Sequence, residues 1–201
     1  MDPGRSANYY DRLAPDYDQQ LSRPGDVWVR GAFQEFVRAR LPPGARLLDF
    51  GCGTGTDAAW YAAQGYRVLA FDNSEGMIAR LRVTCAAAIE RHQVEPWRGP
   101  YESFGAELGA YGPIDAVAAN FAVINVLPAL GPWFAALARR LAPGSGLFLS
   151  ALNPLSLGEI SRPRGFLEAL RHALRRRAEN ILPPGTLDSP GIAAAVNQRV
   201  E

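Results

Sequence analysis

Residues 46–58 read Arg-Leu-Leu-Asp-Phe-Gly-Cys-Gly-Thr-Gly-Thr-Asp-Ala, and this stretch decides the fold. It begins with an apolar run that predicts a short buried strand, continues with three alternating glycines, and runs into a helix-forming segment from Asp57 to Ala63. Glycine adopts positive φ and has no Cβ, so such a turn brings bare backbone close to a ligand, and the helix N-terminus that follows offers free N–H groups. In nucleotide-binding sheets a turn of this kind lies at the carboxyl end of the first strand, where ligands bind.

The spacing of the glycines helps to identify the ligand. The dinucleotide fingerprint has glycines at its first, third and sixth positions. Counting from Gly51, the sixth position here is Thr56, and the third glycine, Gly55, comes one place earlier. An acid, Asp49, precedes the first glycine by two positions, which suits a positively charged ligand better than a pyrophosphate. The alternative interpretation is an ordinary glycine turn that binds nothing.

The string Leu-Leu-Asp-Phe-Gly-Cys-Gly-Thr-Gly resembles motif I of the class I S-adenosylmethionine (SAM)-dependent methyltransferases, and the resemblance extends from Tyr9 to Asn153. It implies an α/β fold, a Rossmann-like three-layer sandwich around a parallel sheet, with SAM as the cofactor. It also implies that the turn formed by Gly51, Gly53 and Gly55 lies against the methionine part of SAM, and that Asp49 helps to hold the amino group.

A second buried strand is predicted from Arg67 to Phe71, and Asp72 follows it, 21 positions after the first glycine of the turn. An acid at that distance, at the tip of the second strand, can accept hydrogen bonds from both ribose hydroxyls. The alternative is a turn aspartate, which is common at strand ends. The run from Phe71 to Met77 resembles the family's second motif, which places Met77 beside the adenine and adds Asn73 to the cofactor-binding set.

The third strand is predicted near Val94 to Trp97, and a loop follows it. In the family an acid or amide in this loop binds the adenine amino group, and an apolar neighbour covers the ring. The resemblance implies that Glu102 and Phe104 have these two roles.

The fourth strand is predicted from Pro113 to Ala119, and Asn120 continues past its end. The resemblance identifies this point as the family's fourth motif, which faces the transferred methyl group. The Asn-Pro-Pro-Tyr string typical of methylation at a base or amide nitrogen is absent. An amphipathic helix is predicted from Trp133 to Leu141, ended by a Pro-Gly pair, with a fifth strand from Gly146 to Ala151.

The N-terminal stretch from Asn8 to Asp18 is rich in tyrosine. It resembles the segment that many small-molecule methyltransferases fold over bound SAM, with Tyr10 and Tyr17 closing the site. The alternative is that the tyrosines only pack an N-terminal cap onto the domain. A helix is predicted from Asp26 to Leu41, where apolar residues recur at helical spacing.

The last fifty residues depart from the family pattern. A helix is predicted from Phe166 to Asn180, and Ile181 to Glu201 offers no convincing strand. We therefore predict a five-stranded sheet in the order 3-2-1-4-5, without the antiparallel hairpin of strands six and seven that ends the family's sheet. An open edge on strand five favours association, so the tail, a homodimer mate or a partner chain is expected to cover it.

The length of the chain predicts one domain. Within it we expect three parts: an N-terminal lid and cap helix at 1–44, a SAM-binding core at 45–153, and a helical tail at 154–201. The 201 residues carry a net charge of +1, which gives no general attraction to nucleic acid or membrane. Two cysteines are too few for a disulfide framework or a zinc site, and no metal-ligand cluster is visible. Without a secretory signal, a cytoplasmic location is expected.

The sequence thus predicts transfer of a methyl group from SAM to a small-molecule O, N or C acceptor. Neither histidine is a convincing general base, because His92 precedes the third strand and His172 lies in the tail, so the catalytic residues stay unassigned. One alternative is a non-catalytic SAM-binding or interaction module. Another is an NAD(P)-dependent oxidoreductase, against which Thr56 and the lack of any lysine argue.

Overall fold

The computed structural model describes residues 9–127 and 129–151, together with the backbone of residues 195–196. The predicted helix from Phe166 to Asn180, and the place where a closing antiparallel hairpin would be found, lie outside the described residues. The boundaries of the tail at 154–201 are likewise untested.

Eight helices and six strands are described along these residues. The helices are α1 (residues 9–13), α2 (Tyr17–Gln20), α3 (Pro24–Arg38), α4 (Thr56–Ala63), α5 (Glu75–Thr84), α6 (Ala86–Glu90), α7 (Phe104–Glu107) and α8 (Leu130–Ala138). The strands are β1 (Arg46–Phe50), β2 (Arg67–Asp72), β3 (Val94–Arg98), β4 (Ile114–Ala119), β5 (Leu141–Ser150) and β6 (Ala195–Val196). Short 3-10 helices cover Leu108–Ala110 and Val123–Val126.

The strands form one sheet in the order β3-β2-β1-β4-β5-β6, and every described pairing is parallel. The order 3-2-1-4-5 predicted from the sequence is confirmed. Phe50 of β1 pairs with Phe71 of β2, and Asp49 pairs with Ala118 of β4. Because parallel strands end at the same edge of a sheet, the residues that follow β1, β2 and β4 converge there.

Hydrophobic cores lie on both faces of the sheet, which makes the fold a three-layer sandwich. Leu47 packs on one face with Phe33 and Val37 of α3. The next residue, Leu48, packs on the other face with Trp133 of α8. This alternation follows from the two-residue period of a strand, and full burial of each such side chain stabilises the fold by about 1.5–3 kcal/mol.

The fifth strand begins earlier than its sequence predicts. The preceding helix, α8, ends at Ala138, and β5 starts at Leu141, which pairs with Ile114 of β4. A shift of register between Ile114 and Ala116 accommodates the Pro-Gly pair within β5. A bulge tolerates proline because the ladder is interrupted there, so the pair lies inside the strand and does not end the helix.

The described sheet has a sixth strand, β6, so the predicted number of five strands was wrong. Ala195 pairs with Leu149 and Val196 with Ser150, so the tail covers two positions at the carboxyl end of β5. The sequence predicted no strand from Ile181 to Glu201, because a pairing of only two residues leaves no periodicity to detect.

Candidate functional site

A cleft of about 610 Å³, partly open to solvent, lies at the carboxyl ends of β1, β2 and β4. Its lining includes three carboxylates, Asp49, Asp57 and Asp72, and one guanidinium, that of Arg30. This balance of charges favours a ligand with more positive than negative groups.

The glycine turn forms one wall of the cleft, and glycine is required at Gly51 and Gly53 for different reasons. All three have positive φ: 74° at Gly51, 54° at Gly53 and 89° at Gly55. A Cβ at Gly51 would overlap the side chain of Val123, so close packing explains that position. A Cβ at Gly53 would enter the cleft, 3.6 Å from Cε1 of Tyr17, so the bare backbone there is presented to a ligand.

Asp72 lies at the end of β2 and braces the turn. Its carboxylate accepts hydrogen bonds from the backbone N–H of Gly53 and of Ser74, each at 2.9 Å. Burial raises the pKa of Asp72 to about 6, even though these hydrogen bonds act in the opposite direction. Each oxygen still has acceptor capacity, since a carboxylate offers about four lone-pair sites. Asp72 is thus placed to accept hydrogen bonds from a diol.

Asp49 is the most deeply buried acid of the cleft, with 2% of its surface exposed. Its Oδ2 has no hydrogen-bond partner among the described residues. Burial, followed by the charges of Asp57 and Asp72, raises its pKa well above the usual range, against the lowering effect of Arg30. A buried acceptor without a partner needs a donor from a ligand or water. The protonated amino group of SAM fits this requirement.

Asp57 ties the cleft to α3 and β4, a role that the sequence did not predict. Its carboxylate accepts a hydrogen bond from Gln34 Nε2 at 2.7 Å and another from Asn120 Nδ2 at 3.1 Å. Arg30 Nη1 lies 3.2 Å from Asp57 Oδ2, and both side chains are largely buried. Arg30 thereby becomes the one cationic side chain in the described lining, where it can face an acidic group of a ligand.

The segment after β4 has unusual backbone geometry. Phe121 and Ala122 have φ values of 50° and 57°, although neither is glycine. Conformations of this kind cost about 1–3 kcal/mol each and persist only where the surroundings hold them. The guanidinium of Arg30 lies 4.6 Å from the centre of the Phe121 ring. Phe121, Val123 and Val126 line the cleft, and we call them the acceptor wall.

The lid segment, residues 9–18, is attached to the cleft through two aspartates. Asp11 accepts hydrogen bonds from Ser74 Oγ at 2.5 Å and Gly76 N at 2.9 Å, and Asp18 accepts one from Thr54 Oγ1 at 2.6 Å. Tyr10 and Tyr17 both line the cleft, where burial and the charge of Tyr10 raise the pKa of Tyr17 to about 12.

If the lid segment closes over a ligand, amide hydrogen exchange in residues 9–18 should slow when S-adenosylhomocysteine (SAH) is added, because closure lowers the rate of local opening. In Asp18→Ala, which loses the acceptor for Thr54 Oγ1, the slowing should be smaller. Asp16→Ala is the matched control, since Asp16 is an exposed aspartate in the same segment whose side chain makes no cap hydrogen bond. Equal exchange with and without SAH in the wild-type protein would mean that the segment does not close over the ligand and that Tyr10 and Tyr17 only pack against the domain.

The other residues predicted to bind the cofactor have different placements. Met77 and Asn120 line the cleft, whereas Asn73 is buried outside the lining, and its Oδ1 has no hydrogen-bond partner within the part of the chain that the structure describes. Glu102 is exposed, and Phe104 is buried in the core against Phe50, Phe71 and Trp97. Neither belongs to the lining; Tyr101 does. The loop follows a short strand and has no motif of its own, so the sequence does not fix which of its residues face the cleft.

Among the described residues, no group of three or more His, Cys, Asp or Glu side chains could hold a metal ion. None of the described helices is both long enough and apolar enough to cross a membrane.

Comparison with known proteins identifies related sequences. A family described as "Methyltransferase domain" matches residues 28–185 of the chain. The demethylmenaquinone methyltransferase of Beutenbergia cavernae is 33% identical over 158 residues, which cover 76% of this chain and 60% of that protein. The ubiquinone biosynthesis O-methyltransferase of Xanthomonas axonopodis pv. citri is 35% identical over 122 residues, covering 59% and 48%. The chain thus matches less than two thirds of the length of either relative.

Solved structures share the fold at lower identity. The [4+2]-cyclase SpnF matches with a TM-score of 0.61 and 19% identity, over 86% of this chain and 73% of that one. An O-methyltransferase from Bacillus cereus in complex with SAH matches with a TM-score of 0.51 and 18% identity, over 84% and 77%.

Proposed function

This chain belongs to the class I SAM-dependent methyltransferases, whose cofactor is S-adenosylmethionine, and we propose that it methylates an O, N or C atom of a small molecule. The observation that carries the proposal is the unpartnered Oδ2 of Asp49, buried beside a glycine turn whose Gly53 opens into the cleft. A cationic amino group held there would orient the rest of SAM along the cleft toward Asp72.

In this proposal the residues divide the cofactor between them. Asp49 accepts hydrogen bonds from the amino group, Arg30 faces the carboxylate, and Asp72 accepts hydrogen bonds from the ribose hydroxyls. Met77 and Tyr101 border the adenine. Most of these residues were predicted from the sequence, whereas Arg30 and Tyr101 are proposed because they line the cleft. Glu102 and Phe104 lie outside the described lining and have no part in the proposal.

When bound, SAM supplies an electrophilic methyl group on a sulfonium, so the chain's task is positioning. The lid segment would exclude water above the cleft, and the acceptor wall would hold the nucleophile in line with the methyl group at about 3–3.5 Å. We assign no general base. One is needed only if the acceptor arrives protonated.

The acceptor wall supports a small molecule with an apolar face, because Phe121, Val123 and Val126 offer hydrocarbon surface beside the Arg30 guanidinium. Two relatives are named for quinone-pathway methyl transfer. A ring with an ionisable hydroxyl is therefore the first acceptor class to test.

A non-catalytic SAM-binding module is the second candidate. The observation in its favour is that a protein named as a [4+2]-cyclase shares this fold, so the fold alone does not establish methyl transfer. A dehydrogenase is less favoured, because Thr56 replaces the glycine of the dinucleotide fingerprint.

The deciding experiment incubates the protein with SAM labelled at the methyl group and a small-molecule extract supplemented with hydroxylated aromatic compounds. Label should appear in small molecules and SAH should accumulate, with boiled protein as the control. A parallel incubation replaces the extract with total protein or RNA, and label transferred only there would overturn the small-molecule proposal. SAM binding measured by calorimetry, with no label transferred to any acceptor, would favour the binding module.

A further inference from the structure

Two consecutive backbone N–H groups after β4 are held by side chains. The N–H of Phe121 donates to Asn120 Oδ1 at 2.8 Å, and the N–H of Ala122 donates to Ser150 Oγ at 3.1 Å. Both residues have positive φ although neither is glycine; among the described residues His92 is the third of this kind. In this unusual backbone conformation, each of the two amide N–H groups thus donates a hydrogen bond to a side-chain oxygen.

Ser150 hydrogen-bonds both to the N–H of Ala122 and to the Asn120 side chain that holds the N–H of Phe121. It is the last residue of β5 and is 4% exposed. Its hydroxyl accepts from Ala122 N and donates to Asn120 Oδ1 at 3.3 Å, which uses its single O–H. Asn120 Nδ2 in turn donates to Asp57 Oδ2, so the serine is the outer end of a buried chain that reaches α4.

The turn that Ser150 holds positions the acceptor wall. Phe121 is one of the two strained residues, and its ring lies against the Arg30 guanidinium. Val123 follows immediately and packs against Gly51 so closely that no side chain fits there. A change in the turn would therefore move the acceptor wall relative to the glycine turn, which holds the other reactant.

We propose that Ser150 is a positioning residue for the acceptor side of the site: its hydroxyl fixes the Phe121–Ala122 turn and, through it, the acceptor wall. Ser150 itself is not part of the described lining, and it acts through its hydrogen bonds to Asn120 and to the N–H of Ala122. Its consequence for methyl transfer rests on the proposed function, whereas its effect on the turn does not.

The test compares Ser150→Ala with Ser150→Thr, which restores a hydroxyl, in the full chain saturated with SAH. Hydrogen exchange followed by mass spectrometry should become faster in residues 121–126 of Ser150→Ala by about tenfold or more, because the turn loses the acceptor for Ala122 N. Exchange in β1 should not change, and the Kd for SAH should stay within about threefold of wild type, since the cofactor half is built on β1 and β2. Ser150→Thr should recover slow exchange.

Thr84→Ala is the control for loss of a hydroxyl, since Thr84 is exposed on α5 and bonds only to Arg80 O within its own helix. If Ser150→Ala does not fold, Ser150→Cys replaces it, because a thiol of similar size is a weaker donor and acceptor and should give intermediate exchange. Unchanged exchange in residues 121–126, or equal acceleration in Ser150→Ala and Ser150→Thr, would overturn the proposal.

Turnover adds a second readout that separates this proposal from the proposed function. With any acceptor that the wild-type protein methylates, Ser150→Ala should raise the KM for the acceptor or lower kcat, and leave the KM for SAM within about threefold. A rise confined to the KM for SAM would contradict the positioning role. If the wild-type protein methylates nothing, the proposed function fails, and the exchange experiment still decides whether Ser150 fixes the turn.

Discussion

A Gly53→Val protein is expected to fold but to show no measurable binding of SAH. The new Cβ would lie 3.6 Å from Tyr17 Cε1 and 4.0 Å from Met77 Sδ, so it overlaps no protein atom. It would instead occupy the cleft where the ligand approaches the backbone. Holding a β-branched residue at φ 54° costs about 1–3 kcal/mol, which most domains survive. Titration calorimetry with SAH, together with a thermal melt, checks both parts of the expectation.

Gly65→Val is the matched control for this experiment. Gly65 also has positive φ, 88°, and no atom lies within 4 Å of a Cβ added there. Gly65→Val therefore carries the same kind of backbone strain two residues before β2, outside the described lining of the cleft. SAH should bind Gly65→Val as it binds the wild-type protein. Normal binding by Gly53→Val would mean that the glycine turn is structural only, and equal loss in both variants would attribute the effect to strain.

The sequence predicts the cofactor half of the site because its signals are local. Glycines that follow a buried strand identify the turn, and an acid at the tip of the next strand identifies Asp72. The resemblance to the methyltransferase family implies the order of the strands in the sheet. Because parallel strands end at the same edge of a sheet, the ends of the first two strands bring Asp49 and Asp72 together.

The acceptor half is less predictable because its contacts are distant in sequence or run against local preference. Arg30 is paired with Asp57, 27 positions later in the chain, and no motif joins the two. Nothing in Phe121 or Ala122 indicates positive φ, since both residue types avoid it. The hydroxyl that stabilises this geometry comes from Ser150, on a different strand. Such features depend on tertiary packing overriding local propensity.

Replacing Asp72 is expected to have the second largest effect on cofactor affinity. Asp72→Ala would leave the ribose hydroxyls without a charged acceptor and the N–H groups of Gly53 and Ser74 without their partner. Hydrogen bonds to charged groups contribute roughly 1.5–3 kcal/mol, which corresponds to a loss of about 10- to 150-fold in affinity for SAM and SAH. Asp72→Asn keeps one of the two acceptor oxygens, since its NH2 group only donates, and should lose less than Asp72→Ala. Unchanged affinity in a folded Asp72→Ala protein would remove Asp72 from the site.

The same carboxylate should make cofactor binding depend on pH. Burial raises the pKa of Asp72 to about 6 in the ligand-free protein, and binding uses the charged form. SAH affinity should therefore fall as the pH is lowered through about 6, while the ligand's amino group stays protonated. The effect on stability has the opposite sign. A carboxyl whose pKa is raised in the folded state favours folding while it is protonated, and that contribution is lost as the pH rises through about 6.

Asp49 also has a raised pKa, which changes the pH dependence of SAH binding in the same direction. Calorimetry with SAH between about pH 5 and pH 7, on the wild-type protein and on Asp72→Asn, separates the contributions of the two carboxyl groups. The part of the pH dependence that disappears in Asp72→Asn belongs to Asp72, and identical profiles for the two proteins would show that Asp72 does not titrate on binding.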